Sequence, residues 1–222
     1  MDYHKWESKW SDYIATTRSF SSSAQITARN HIELGRIREN SKLLDMGCGH
    51  GRITLLIGLQ IPRLDIVGID VTPELLQNFL LKPGVNGCQL ELICGDLVNI
   101  PKKSGEFDVV ISTRVFQYLC NPLDGIREAH RILRPGGRIV LSIPNKLNPI
   151  KFFTYKEKLY SPFEVAGWLT ACGFKSIVTK SICFFPSTTY LTALVQYCEI
   201  FNKVPIIKYF GGEVLVAGEK NK

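Results

Sequence analysis

The sequence predicts an α/β fold: a doubly wound, mostly parallel seven-stranded sheet with helices on both faces. Three observations carry that prediction. From residue 42 onward, short apolar runs alternate with stretches of helical period, the pattern of strands joined by crossover helices. The first run, KLLDM, breaks into glycines at alternate positions, Gly47, Gly49 and Gly51. Such a turn stands where a parallel sheet opens its ligand crevice, beyond the C-terminal strand ends. The 222 residues, 45% hydrophobic and 21% charged, are enough to bury one full core.

The elements follow in order. An aromatic-rich, mixed-charge opening (Trp6, Trp10, Tyr13) ends at the polar break SFSSS. AQITARNHIELGRIREN then spaces Ile26, Leu34 and Ile37 among charges, which suits an amphipathic helix. KLLDM reads as a buried strand and HGRITLLIGLQ as a helix closed before Pro62. LDIVGID is a second strand. TPELLQNFLL is a helix with Thr72 at the N-cap and Pro73 at its first position, both favoured there. CQLELIC and FDVVIS are the third and fourth strands, and NPLDGIREAHRIL is a helix. RPGG stops that helix and reverses the chain, because Pro cannot continue it and the glycines permit the turn. RIVLSIP is a fifth strand. SPFEVAGWLTACG is a helix stopping at Gly173, FKSIVTKSICFF a sixth strand and EVLVAGE the last. No repeat or low-complexity segment interrupts the series.

Composition narrows the function classes. The seven cysteines form no CxxC pair and are odd in number, so neither a zinc cluster nor a disulfide framework is indicated. The opening MDYHKWESKW has no apolar signal core, and no apolar run reaches the roughly 18 residues that span a bilayer; the expected setting is cytoplasmic. The net charge of +7 falls in the C-terminal half, which suits an anionic substrate, a membrane surface, RNA or simply a solvated face.

The glycine turn selects its ligand by exclusion and by charge. Bare glycines let a ligand approach the backbone, and the following helix start offers unpaired N–H groups. A dinucleotide fingerprint needs its third glycine at position 52, which is Arg52, and a P-loop needs GK followed by Ser or Thr, which is absent. Asp45, two residues before the first glycine, opposes a pyrophosphate and suits a cation. S-adenosylmethionine carries an ammonium, a sulfonium and no phosphate.

LLDMGCGHG resembles the first motif of class I S-adenosylmethionine-dependent methyltransferases. The resemblance continues in register through VGIDVTPELL, CGDLVNIP, FDVVISTRVFQYL and REAHRILRPGGRIVLSIPN, over roughly residues 40–182, and is nearest to the small-molecule and quinone-methylating branches. It implies a Rossmann-like methyltransferase fold with S-adenosylmethionine as cofactor and no metal. Asp45 and the Gly47, Gly49 and Gly51 backbone are then expected to hold the methionine end. Asp70 would accept the ribose hydroxyls, Val71 and Leu97 would pack on the adenine, Asp96 would take its amine, and Ser112 would lie near the methyl. As domains it implies an N-terminal helical cap on the acceptor side, 1–40, and a cofactor-binding domain, 41–222, with an insertion at 183–210.

The expected function is methyl transfer to oxygen or carbon of a small-molecule or lipid-like acceptor. Where relatives that methylate amino groups of DNA and of protein glutamine carry Asn/Asp-Pro-Pro-Tyr/Phe, this chain reads STRV. No general base is evident; Tyr118, in a stretch where many relatives carry histidine, and His50, in the glycine turn, are the candidates. His130 lies on a helix leading away. TTYLTALVQYCEIF has a wide apolar surface. It suits a helix packed on its own domain, an acceptor-pocket wall, a dimer face or, over 187–210, a peripheral membrane contact. An RNA methyltransferase using the basic half is the alternative, although no Lys/Arg block with interleaved aromatics supports nucleic-acid binding. A non-catalytic S-adenosylmethionine-binding partner protein is the other. Nothing in the sequence sets an oligomeric state.

Overall fold

All seven apolar runs enter one sheet. The computed structural model describes residues 22–80, 83–183 and 209–221. In order along the chain stand α1 (Ser22–Gly35), β1 (Lys42–Met46), α2 (Arg52–Gln60), β2 (Asp65–Asp70), α3 (Pro73–Gln77), β3 (Gln89–Cys94) and β4 (Phe107–Thr113). There follow α4 (Pro122–Ile132), β5 (Leu133–Pro144), α5 (Pro149–Thr154), α6 (Pro162–Ala171), β6 (Phe174–Ile182) and β7 (Glu213–Lys220). The strand order is β3-β2-β1-β4-β5-β7-β6. β1 to β5 are parallel, and β7 lies antiparallel between β5 and β6. The order reverses between β1 and β4, so the crevice opens beyond the C-terminal ends of those two strands.

Side-chain alternation sorts the core into two layers. In β1, Leu43 packs with Ala28 of α1 and Leu56 and Ile57 of α2, while Leu44 and Met46 pack with Ile126 and Ala129 of α4 and Val165 and Leu169 of α6. Leu43, Leu44 and Met46 have no exposed surface, and each such burial is worth about 1.5–3 kcal/mol. Period-two geometry places Asp45 on the Leu43 face, toward α2. α1, expected as part of an N-terminal cap, is one of the helices covering the sheet: Ala24, Ala28 and Leu34 are buried in the same layer, and Arg138 of β5 donates from Nε to the Leu34 carbonyl at 2.8 Å. Trp6, Trp10, Tyr13 and Phe20, and most of the 183–210 insertion, lie outside the described residues.

Two elements depart from expectation for identifiable reasons. The helix expected over 72–81 ends at Gln77. Phe79 turns inward to 3% exposure and the Leu80 amide donates to the His50 carbonyl at 2.9 Å, so tertiary contacts with the glycine turn end it. RPGG was expected as a turn before the fifth strand. Instead β5 begins at Leu133, directly after α4, and the four residues form a bulge: Leu133 pairs with Phe107 and Arg138 with Val109. Gly136 takes φ +77°, and a Cβ on Gly137 would stand 2.9 Å from the Arg134 carbonyl. An extra loop of strand is accommodated there because it needs no side chain at its tightest points. α6 starts as the sequence predicts, with a Ser161–Glu164 capping box.

Candidate functional site

The turn after β1 is stitched to β2 before any ligand arrives. The Gly47 and Cys48 amides donate to the Ile69 carbonyl at 2.8 and 3.1 Å, and the Gly51 amide donates to the Cys48 carbonyl at 2.9 Å. Its glycines serve different ends. A Cβ on Gly47 would stand 2.4 Å from a Val115 methyl, and one on Gly51 would stand 2.4 Å from the Phe79 ring, so these two let neighbouring side chains close on the backbone. A Cβ on Gly49 would meet only Leu75 Cδ1, at 3.9 Å; that glycine opens space. α2 begins at Arg52 behind Gly51 with no side-chain cap on its first amides, which leaves donors at the turn.

Two carboxylates flank the turn. Asp70, at the end of β2, accepts the Gly49 amide on Oδ2 at 2.8 Å and the Thr72 amide on Oδ1 at 3.0 Å. Thr72, the expected cap of α3, makes no side-chain capping bond; its own amide donates to Asp70 instead. Asp45 is 3% exposed and its Oδ2 accepts the Thr54 hydroxyl of α2 at 2.5 Å. Burial pushes the Asp45 carboxyl up to about 7, the neighbouring Asp70 adds to the rise, and the Thr54 bond opposes it. A buried acid so raised is a functional-site candidate, and it gains most from a cation placed beside it.

These groups line a cavity of about 230 Å³, several times the roughly 30 Å³ share of one water, so it admits a small organic molecule. Asp45, the three-glycine backbone region at Gly47 and Gly49, His50, Asp70, Val71 and Leu97 face it, as do Arg52, Leu75, Thr113, Arg114, Val115, Tyr118 and Leu119. Val71 is 38% exposed on the cavity side of β2. Gly51 sits behind the wall, against Phe79.

Two further expected residues, besides Gly51, stand outside the lining. Ser112 is 1% exposed and its hydroxyl donates to the Met46 carbonyl of β1 at 2.7 Å. Alternation along β4 turns Ser112 to the same face as Val110, in the α4 layer, and delivers Thr113 to the cavity instead. Asp96 is exposed, and its Oδ1 accepts the Val98 amide at 3.1 Å in a tight turn; Leu97 is that turn's contribution to the wall.

The candidate bases differ in setting. Burial, then the Arg52 charge, holds the His50 imidazole below its usual range, so it is neutral near pH 7. Tyr118 shares a side-chain hydrogen bond with Tyr155, whose phenol is raised above its ordinary range by burial and then by Tyr118. His130 packs edge-on against Phe174, ring centroids 5.0 Å apart, away from the cavity.

Sequence reasoning missed a polar cluster behind the cavity. His31 of α1, fully buried, has Nε2 3.0 Å from the Thr113 hydroxyl. Burial drives its pKa down to about 4 against the opposing field of Glu213. Arg114 donates from Nε and Nη2 to Glu213 Oε2 at 3.1 and 2.6 Å, and the Ser142 hydroxyl donates to Oε1. Burial raises the Glu213 carboxyl, but Arg114 and Ser142 outweigh it and hold the group below its usual range. No local signal marks this cluster, since its members come from four separate elements.

A family described as "Methyltransferase domain" matches residues 44–141, which run from β1 to β5 and include the glycine turn and both carboxylates. A demethylmenaquinone methyltransferase of Thermus thermophilus is 26% identical over 195 residues, covering 86% of this chain and 88% of that protein. The chloroplastic 2-methyl-6-phytyl-1,4-hydroquinone methyltransferase 1 of Oryza sativa is 30% identical over 146 residues, 64% of this chain and 43% of that one. The chain spans 39% and 40% of two other curated relatives. A crystal structure of a SAM dependent methyltransferase from Archaeoglobus fulgidus superposes with a TM-score of 0.66 at 14% identity, covering 99% of this chain and all of that one; it shares the fold.

Proposed function

We propose that this S-adenosylmethionine-dependent methyltransferase, of the class I type, transfers the methyl group to oxygen or carbon of a small, lipid-like acceptor; two of its relatives are named as a demethylmenaquinone methyltransferase and a 2-methyl-6-phytyl-1,4-hydroquinone methyltransferase. One observation carries the cofactor half of this reading. The cavity offers the buried Asp45 and the ribose-height Asp70 on either side of a turn whose middle glycine leaves open space. That donor set matches a cationic nucleoside. It does not match a diphosphate.

In this reading Asp70 serves turn and ligand together. An ionised carboxylate has about four lone-pair positions, and Asp70 spends two of them on the Gly49 and Thr72 amides. The others take the ribose hydroxyls. Val71 and Leu97 pack on the adenine, and Asp45 with the Gly47–Gly51 backbone takes the methionine end. Bound there, S-adenosylmethionine supplies a methyl group already activated on a sulfonium. The protein's task is then to align the acceptor and exclude water, and orientation of this kind is worth about 7–11 kcal/mol of the barrier. Val115, Leu119 and Tyr118 give the acceptor an apolar wall with one phenol, which fits a lipid-like ring better than a charged metabolite. In this reading His50, held neutral, is the candidate to take an acceptor proton, and Tyr118 the candidate to bind the acceptor.

Isothermal titration is expected to show S-adenosylmethionine and S-adenosylhomocysteine binding with NAD silent. Asp70→Ala should weaken both by about 1–3 kcal/mol, the cost of a lost buried polar partner; unchanged affinity removes Asp70 from the ribose. Labelled-methyl transfer to fractionated cell extract should place label in the lipid or small-molecule fraction. Label confined to RNA, with affinity falling steeply in salt, would overturn the acceptor assignment.

A further inference from the structure

The segment leading away from the cavity rim carries more exposed aromatic surface than the fold needs. α5 has no buried residue, and on it Ile150, Phe152 and Phe153 are exposed, Phe153 to 84% and Phe152 to 60%. Phe163, in the first turn of α6, is 59% exposed, and Phe210 is exposed too. These are not scattered. Asn148, which caps α5, donates to the Phe210 carbonyl at 2.8 Å, and Asn145 donates to the Tyr209 carbonyl at 2.7 Å. Tyr209 in turn meets the Phe163 ring at 5.0 Å. α5, the start of α6 and the 209–210 stretch therefore form one face. A contiguous apolar patch of this kind marks an interaction surface.

Its charge says what it fits. Lys146, Lys156 and Lys158 are exposed in the same stretch of chain as Phe152 and Phe153, and Lys151 lies over the Tyr155 ring with Nζ 5.2 Å from its centroid. Of the two acids within this stretch, Glu164 is engaged by the Ser161 amide and by Lys146, and Glu157 is only partly exposed. Exposed aromatic side chains with lysines in the same stretch of chain match an anionic bilayer surface, whose headgroups take the cations while its acyl boundary takes the rings. Among the described residues no helix is long and apolar enough to cross a membrane. The patch also adjoins the cavity. Tyr155 directly follows α5 and hydrogen-bonds Tyr118, which lines the wall proposed for the acceptor.

We propose that the α5–α6 face, led by Phe152, Phe153 and Phe163, docks the enzyme on anionic membrane and sets the cavity mouth toward the lipid that holds its acceptor. The delivery role rests on the lipid-like acceptor proposed above, whereas docking is measured without methyl transfer. The test is co-sedimentation of the full chain with phosphatidylcholine vesicles, with and without phosphatidylglycerol. Binding is expected on the anionic vesicles and should weaken as salt rises. Replacing Phe152 and Phe153 by Ser should lower it about tenfold or more. Lys156→Glu with Lys158→Glu should lower it about tenfold on anionic vesicles and little on neutral ones. Phe163→Ser, on a separate element, tests the same face independently. S-adenosylhomocysteine affinity should stay at the parent value in every variant. Absent vesicle binding, or binding that all three variants retain, overturns the proposal. So does a dimer, seen by light scattering, that Phe153→Ser dissolves while vesicle binding is unchanged. Failure of the parent to bind S-adenosylhomocysteine would strike the methyltransferase reading and leave the vesicle result standing.

Discussion

Asp45 and His31 are buried on the same face of the sheet and tilt stability with pH in opposite directions. Asp45 in the folded protein keeps its proton up to about pH 7, whereas an unfolded aspartate releases it near 3.9. The folded state therefore binds the extra proton in between, and this residue lowers stability as pH climbs from about 4 to about 7. His31 titrates near 4 when folded and near 6.5 when unfolded. The unfolded state takes the extra proton here, so the His31 contribution is whole above about 6.5 and is lost as pH falls toward 4. Asp45→Asn should stabilise the ligand-free protein by an amount that grows from pH 4 to 7 and then levels off, on the order of a few kcal/mol. His31→Gln should instead fare better relative to the parent as pH falls below 6.5. Urea unfolding across that range measures both, and a pH-independent difference for either variant would place the proton elsewhere. Asp45 was legible in the sequence because an acid before a glycine turn has few structural uses. His31 was not, because nothing near it in the chain shows that it ends against Thr113, 82 residues away.

At the scale of the element, the glycine turn separates packing from binding. Gly49 has φ +54° and open space, while Gly51 has φ +76° and the Phe79 ring 2.4 Å from where a Cβ would stand. Gly49→Ala should cost the fold about 1–2 kcal/mol for a left-handed residue and weaken S-adenosylmethionine out of proportion to that. Gly51→Ala adds overpacking and should cost about 3 kcal/mol or more. Thermal unfolding and titration of both variants check the division; equal stability loss would erase it. The strands and helices around the turn were readable from periodicity, which acts over a few residues. Their ends were less so. α3 stops early because Phe79 and Leu80 are drawn to the turn, and RPGG becomes a bulge because β5 finds β4 on both sides of it.

Across the whole molecule, β7 ties the last strand back to the site. Glu213, its first residue, is 3% exposed and meets Arg114, which follows β4 and lines the cavity, across 99 residues of chain. Removing one partner of a buried pair strands the other charge, at about 3–5 kcal/mol. Arg114 is partly exposed, so Arg114→Met should cost near the lower end, and adding Glu213→Gln should restore part of it. A double-mutant cycle in urea tests this, and additive losses would deny the coupling. What the sequence determined unaided is the set of features written in short spans: the strand and helix series, the glycine turn with Asp45, and Asp70 at the end of the second strand. Only the tertiary structure decided that Thr113 rather than Ser112 faces the cavity, that Asp96 stands beside the cavity lining with its Oδ1 on the Val98 amide, and that His31, Arg114 and Glu213 back the site. The physical reason is that periodicity and turn chemistry are local, whereas a side chain's access to a cavity depends on which face of a strand it occupies and on what distant elements pack against it.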